Sequence, residues 1–165
     1  MLLQDRFKLA AHHEIRNLPV YELTVSKGPK LKAPTCTESD PKNPRPAAGK
    51  TIMDYCGFSG FFKGRFEASA ATIGDLAKAL ANLLDRAVVD KTGINGTFHV
   101  VLTFATDNTT VRFPGAPVDA DSPPAIDAPP NIFTAIQEQL GLKLNSNRGP
   151  VDVMVVDHVE RPSEN

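Results

Sequence analysis

The chain has no tryptophan, and only two tyrosines, two cysteines and four histidines among its 165 residues. Each shortage closes off some chemistry. Cys36 and Cys56 lack CxxC spacing and no histidine lies in the stretch between them, which argues against a zinc-ribbon type of metal site. The formal net charge is -1, and Lys and Arg are scattered. The basic face that a nucleic-acid binder needs is missing, so no nucleic-acid partner is expected. No apolar run approaches the roughly 20 residues of a membrane helix. The opening residues, MLLQDRFKL, carry no basic region followed by an apolar one, as an export signal would. They start directly in an amphipathic pattern, as a piece of something longer would.

Catalytic motifs are absent as well. His12-His13-Glu14 lacks the second spaced histidine of an HExxH site and falls on an alternating, strand-like pattern. Gly57-Phe58-Ser59-Gly60 misses GxSxG by one residue. No glycine-rich loop precedes a helix as a nucleotide site requires, and Gly93-Ile94-Asn95-Gly96 leads into a strand.

What the chain does have is periodicity, interrupted by proline. The clearest stretch is 72–104. Thr72 and Asp75 fit a capping box, and Ile73, Leu76, Leu80, Leu83 and Leu84 then recur at helical spacing. Ala87-Val88-Val89 reads as a short strand, 92–96 as a turn, and Phe98, Val100, Leu102 and Phe104 as one face of a strand central in a sheet. At the front, Leu2, Leu3 and Phe7 look like the end of a helix. Phe7, Leu9, Ala11, His13 and Ile15 then alternate, Asn17-Leu18-Pro19 breaks the run, and Tyr21, Leu23 and Val25 resume it. At the back, 131–140 reads as a helix stopped by Gly141, followed by a short strand, a turn at 147–150 and a last strand lined by Val151, Val153, Val155 and Val159.

These readings give one α+β domain over 1-165. Three α-β-β units, about 1-26, 66-104 and 131-160, would form a mostly antiparallel sheet with the helices on one side. Two long Pro-rich loops, 27-65 and 105-130, join them; the second also carries Asp107, Asp119, Asp121 and Asp127. Both cysteines fall in the first loop, which favours a Cys36–Cys56 disulfide over two unrelated free thiols. Such a bridge would contribute about 3 kcal/mol and points to an oxidising compartment. The far end of that loop, 55–62, is aromatic and glycine-rich. Tyr55, Phe58 and Phe61 there either pack on the sheet or form a binding lip.

Three sequence blocks carry a resemblance: LLQDRFKLAAHHEIRNLPVYELTVSKGPKLK, AVVDKTGINGTFHVVLTF, and AIQEQLGLKLNSNRGPVDVMVVDHVERPSEN. Together they resemble, across nearly the whole chain, an uncharacterised protein family, a domain of unknown function, expanded in soil acidobacteria such as Solibacter. The resemblance implies an export signal and a further stretch upstream of the RFKL block. Some relatives fuse the domain to membrane-bound antibiotic-sensor-type metallopeptidase modules, which implies an extracytoplasmic sensing or interaction role.

The titratable residues offer one rival reading. His13, His99 and His158 lie on three expected strands and could converge on a metal if those strands are neighbours; otherwise each is an isolated surface histidine. His12 and His13 face opposite ways, so only one of them could join. Asp90 could reach His158 across strands as a base pair of the hydrolase kind, with His13 as a further candidate, or could serve its own turn. Asp157 cannot orient its neighbour His158, because adjacent strand residues point apart. The leading expectation is therefore an extracytoplasmic, periplasmic or secreted, binding or interaction module without a cofactor or resident metal, taking an unidentified ligand or protein partner. A His/Asp hydrolase or metal-dependent enzyme, and a structural domain oligomerising through sheet edges, are the alternatives. Oligomeric state is not legible.

Overall fold

The capping box at the head of the central helix forms as its residues dictate. Thr72 Oγ1 accepts from the Asp75 backbone N–H at 3.1 Å, and the Asp75 carboxylate accepts from the Thr72 N–H at 3.1 Å. In this computed structural model, which describes residues 6–38, 47–62, 64–106 and 128–161, the helix α1 spans Ile73–Leu84. It buries Ile73, Leu76, Ala77, Leu80 and Leu83. Each buried Ile or Leu among them contributes roughly 1.5–3 kcal/mol on leaving water. A second helical element begins as α2, Ile132–Ala135, capped by Asn131 accepting from the Thr134 N–H at 3.0 Å. It continues as a π-helical turn over Ile136–Leu140. Gly141 ends it in the left-handed region, φ 69°, where a Cβ would collide with the Gly28 carbonyl.

The strands are β1 (Ala10–Val25), β2 (Ser59–Phe62), β3 (Arg65–Ala71), β4 (Val88–Asp90), β5 (Phe98–Thr103) and β6 (Leu142–His158). They form two three-stranded sheets, β4-β1-β6 and β2-β3-β5. In the first, β4 runs parallel to β1 and β6 antiparallel to it; the second is antiparallel throughout. The architecture is compatible with the α+β class. The internal pairings of a three-unit scheme, however, are not formed among the described residues. The expected turns at 17–19 and 147–150 are straight strand, with Asn17 facing Pro150 and Pro19 facing Arg148. The reason is positional. β4 joins β1 only at Tyr21, Glu22 and Leu23, and among the described residues β6 has no strand on its other side, so near Pro19 and Pro150 a missing donor can face outward at no cost to a ladder. β4 and β5, read as partners, go to different sheets. β5 is not central: β3 lies on one side and a lone Lys32–His99 bridge on the other.

One apolar cluster unites the sheets. Leu23, Leu142 and Leu144 come from the first, Phe66, Ala68, Val100 and Leu102 from the second, and both helices fill between them. The segment after β1 stitches the pieces together. Ser26 N–H donates to Gly141 O at 2.9 Å, Lys30 N–H to Leu140 O at 2.9 Å, and His99 N–H to Lys32 O at 2.9 Å. The base of the second expected loop is closed by Ala105 N–H donating to Pro130 O at 2.8 Å. The acids and prolines read within 107–127 lie outside the described residues, as do Leu2 and Leu3.

Past Leu18 and Gly149 the β1–β6 pair leaves the core as a two-stranded arm. Leu23 and Leu142 are fully buried at its root, whereas Ile15 is 75% exposed and Met154 64% exposed near its tip.

Candidate functional site

The aromatic stretch is fixed from behind. Cys36 and Cys56 form a disulfide, with their Cα atoms 5.0 Å apart. Thr37 N–H donates to Asp54 O at 2.8 Å and Cys56 N–H to Thr37 O at 2.9 Å, so the staple is flanked by backbone bonds. Gly57 N–H then donates to Ser69 O at 3.0 Å, and Ser69 N–H to Phe58 O at 2.9 Å. The buried Ser69 hydroxyl donates to the Tyr55 carbonyl at 2.6 Å. These bonds seat the lip on β3 before β2 begins.

The rings follow from that seating. Phe61 packs on the core residue Phe66, centroids 4.8 Å apart. Phe58 and Phe62 stack at 6.1 Å across Gly60, where a Cβ would come within 3.1 Å of both rings. That close approach is why the position suits glycine. Opposite the lip stands the outer side of α1, with Asp75, Lys78, Ala79 and Asn82. Between them lies an open cleft of about 410 Å³, also lined by Phe58, Ser59, Phe61 and Ser69. Its size suits a small molecule or one or two side chains of a peptide.

The cleft's charges are unequal in what they can offer. The Thr72 hydroxyl and then the Thr72 N–H hold Asp75 below the ordinary carboxylate range, so it is ionised and already employed as a cap. Lys78 sits 3.9 Å from it with its side chain 82% exposed, a weak pair that leaves the ammonium open to a ligand. Asn82, one turn on, adds amide donors and an acceptor.

Of the residues expected at a binding lip, Phe58 and Phe61 line this cleft and Tyr55 does not. Tyr55 is a post behind it: its hydroxyl accepts from the Ala47 N–H at 2.9 Å and Lys50 lies over its ring. Asp54, next to it, caps the short 3-10 turn Ile52–Asp54, and the Thr51 N–H holds its carboxyl below the usual range.

The structure does not gather the histidines. His99 is on β5, bridged to Lys32. His158 lies at the arm's tip, its Nε2 2.9 Å from Glu160. His13 Nδ1 is 3.0 Å from Asp152, and His12 Nδ1 is 2.8 Å from Asp157. The hydrogen bond and charge of Asp157 raise the His12 pKa above its usual 6.5. Among the described residues no three His, Cys, Asp or Glu side chains converge as metal ligands would. Asp90 pairs with Leu23 and His158 with Ala10, opposite ends of β1. At strand rise they stand about 40 Å apart, too far to share a proton. Asp90 instead accepts from the Thr92 N–H and hydroxyl, both at 2.8 Å, which is turn chemistry.

Two groups escaped the sequence reading. The His12–Asp157 and His13–Asp152 contacts require β1 and β6 to be neighbours, which no local pattern announces. An imidazole held at Nδ1 by a carboxylate presents Nε2 as a base. Both pairs stand on the open arm, and neither lines the cleft. Lys78 and Asn82 were not singled out by the helical pattern, which marks only the buried stripe. The signal available was the polar row Asp75, Lys78, Asn82 beside the small Ala79.

No helix among the described residues is long and apolar enough to cross a membrane. Comparison with curated proteins and with solved structures gives no match. A family model does match residues 1–159, and the chain belongs to that family, described as a protein of unknown function (DUF3738).

Proposed function

We propose that the protein is a non-enzymatic, extracytoplasmic binding module whose ligand seats in the cleft between the Phe58–Phe61 lip and α1. The observation that carries this reading is the pre-set lip. A disulfide, two backbone bonds to Ser69 and the Ser69 hydroxyl hold it facing Lys78 and Asn82. A site ordered before binding loses little entropy when a ligand arrives. The lining matches a compact ligand with an apolar or aromatic part against the rings and a hydrogen-bonding or anionic part toward Lys78 and Asn82. The disulfide is compatible with an oxidising compartment, and the likeness of the sequence blocks to an exported acidobacterial family, some members joined to sensor-type modules, supports the same location.

A thermal-shift screen of small anionic and aromatic compounds and short peptides tests it. Compounds should raise the melting temperature of the native protein and have no effect on Ala79→Trp, whose new ring fills the cleft from the half-buried helix position that lines it. Ligands that stabilise both proteins equally would place the binding surface elsewhere and end this reading.

A further inference from the structure

The tip half of the arm, Ala10–Arg16 against Val151–His158, poses a physical problem. A lone two-stranded ribbon is marginal in water, and three or more strands are needed for independent stability. β4 supplies a third strand only at Tyr21, Glu22 and Leu23. Along its whole length β6 has a single strand neighbour, β1, among the described residues. Its outer edge is a row of backbone donors and acceptors open to another strand.

The usual guards of such an edge are missing where they matter. The run Val151–Val156, VDVMVV, is β-branched or apolar except for Asp152, and that carboxylate is tied to His13. Pro150, whose missing donor faces this edge, guards the root end of the run, and the irregularity at Ala10/Ala11 the tip end; neither interrupts Val151–Val156. Both faces mix apolar and polar side chains: His13 and Asp152 fall on one, and His12, Glu14 and Arg16 on the other. Residues directly opposite share a face, so Ala11, Ile15, Met154 and Val156 lie together on one. Ile15, Met154 and Val156 are 75%, 64% and 54% exposed. Val151, Val153 and Val155 line the other face, half-buried.

We propose that β6 pairs antiparallel with β6 of a second copy of this chain, about a two-fold axis near Val153. Charge complementarity selects this occupant and direction. Arg148 marks the root end of the edge; at the tip end Asp157 and Glu160 outnumber Arg161. Antiparallel self-pairing sets the root of each copy beside the tip of the other, basic against acidic, twice. Parallel pairing would set like against like. The pairing is isologous, so it closes at two copies and turns two bare ribbons into one four-stranded sheet.

The test is sedimentation of the intact chain over a dilution series, with amide hydrogen exchange on the same samples. The expected result is a dimer that dissociates on dilution, with the outward-facing amides of Asp152, Met154 and Val156 protected in the dimer and released in the monomer. Val153→Lys, which puts a charge at the centre of the pairing, should weaken dimerisation by about tenfold or more while the core still melts cooperatively. A monomer at every concentration overturns the proposal. So does a dimer indifferent to Val153→Lys, or exchange in 151–156 that ignores dilution in the native chain. Ala79→Trp should leave the dimer intact, which keeps this result separate from the fate of the cleft.

Discussion

The root and the tip of the β1–β6 ribbon are the same two strands in different surroundings. At the root, Leu23 faces Leu144 inside the core; at the tip, Ile15 faces Asp152 in water, on the same face of the ribbon. Strand pairing persists across both, so backbone bonding alone does not require burial of the side chains above it. What burial adds is stability, and it adds it at one end. The tip is left available for contacts the root cannot make.

The sharpest way to break the comparison is a matched pair of truncations. Leu23→Ala should cost about 2–5 kcal/mol in urea unfolding, because it empties a fully buried site. Ile15→Ala should change stability by no more than about 0.5 kcal/mol. Equal losses would mean the tip is as buried as the root. Next in size, replacing Cys36 and Cys56 together by Ser should cost about 3 kcal/mol and loosen the lip. Cleft ligands should then bind more weakly while dimerisation through β6 is unchanged; calorimetry and sedimentation read the two separately.

Thr72→Ala should cost about 1 kcal/mol through the lost cap, read by thermal melting. It should also return Asp75 toward its ordinary titration. With Thr72 present, the Asp75 pKa is lowered from 3.8, so its contribution to stability is complete above that value and is lost as pH falls through the lower folded value. His12 behaves in the opposite sense and is the smallest effect. Its pKa is raised from 6.5, so the Asp157 contact contributes fully below that pH and is lost as pH rises through the higher folded value. Titration by NMR should show His12 returning toward its ordinary value in Asp157→Asn, with little change in melting temperature, since an exposed pair stabilises weakly.

Local chemistry was legible in the sequence and long-range pairing was not. The Thr72–Asp75 cap, the Gly141 stop and the Cys36–Cys56 bridge each depend on residues close in the chain or on a type with few alternatives. The arm depends on which strands meet. Asn17-Leu18-Pro19 and Asn147-Arg148-Gly149-Pro150 carry genuine turn chemistry, yet both are strand, because each proline sits where no third strand among the described residues needs its donor. Half of the cleft was visible for the same reason. Phe58 and Phe61 stand out in a glycine-rich run, while Lys78 and Asn82 gain meaning only when the lip is laid across α1.

The contact between His12 and Asp157 joins residues 145 positions apart. Chain search on that scale is slow, and folding rates fall as contacts become less local. The helix caps and the β2–β3 hairpin can form early from neighbours in sequence, but the ribbon must wait until almost the whole chain has been collected. Closing it is thus expected late, with two long strands, β6 rich in valine, unpaired and open to misassembly until then.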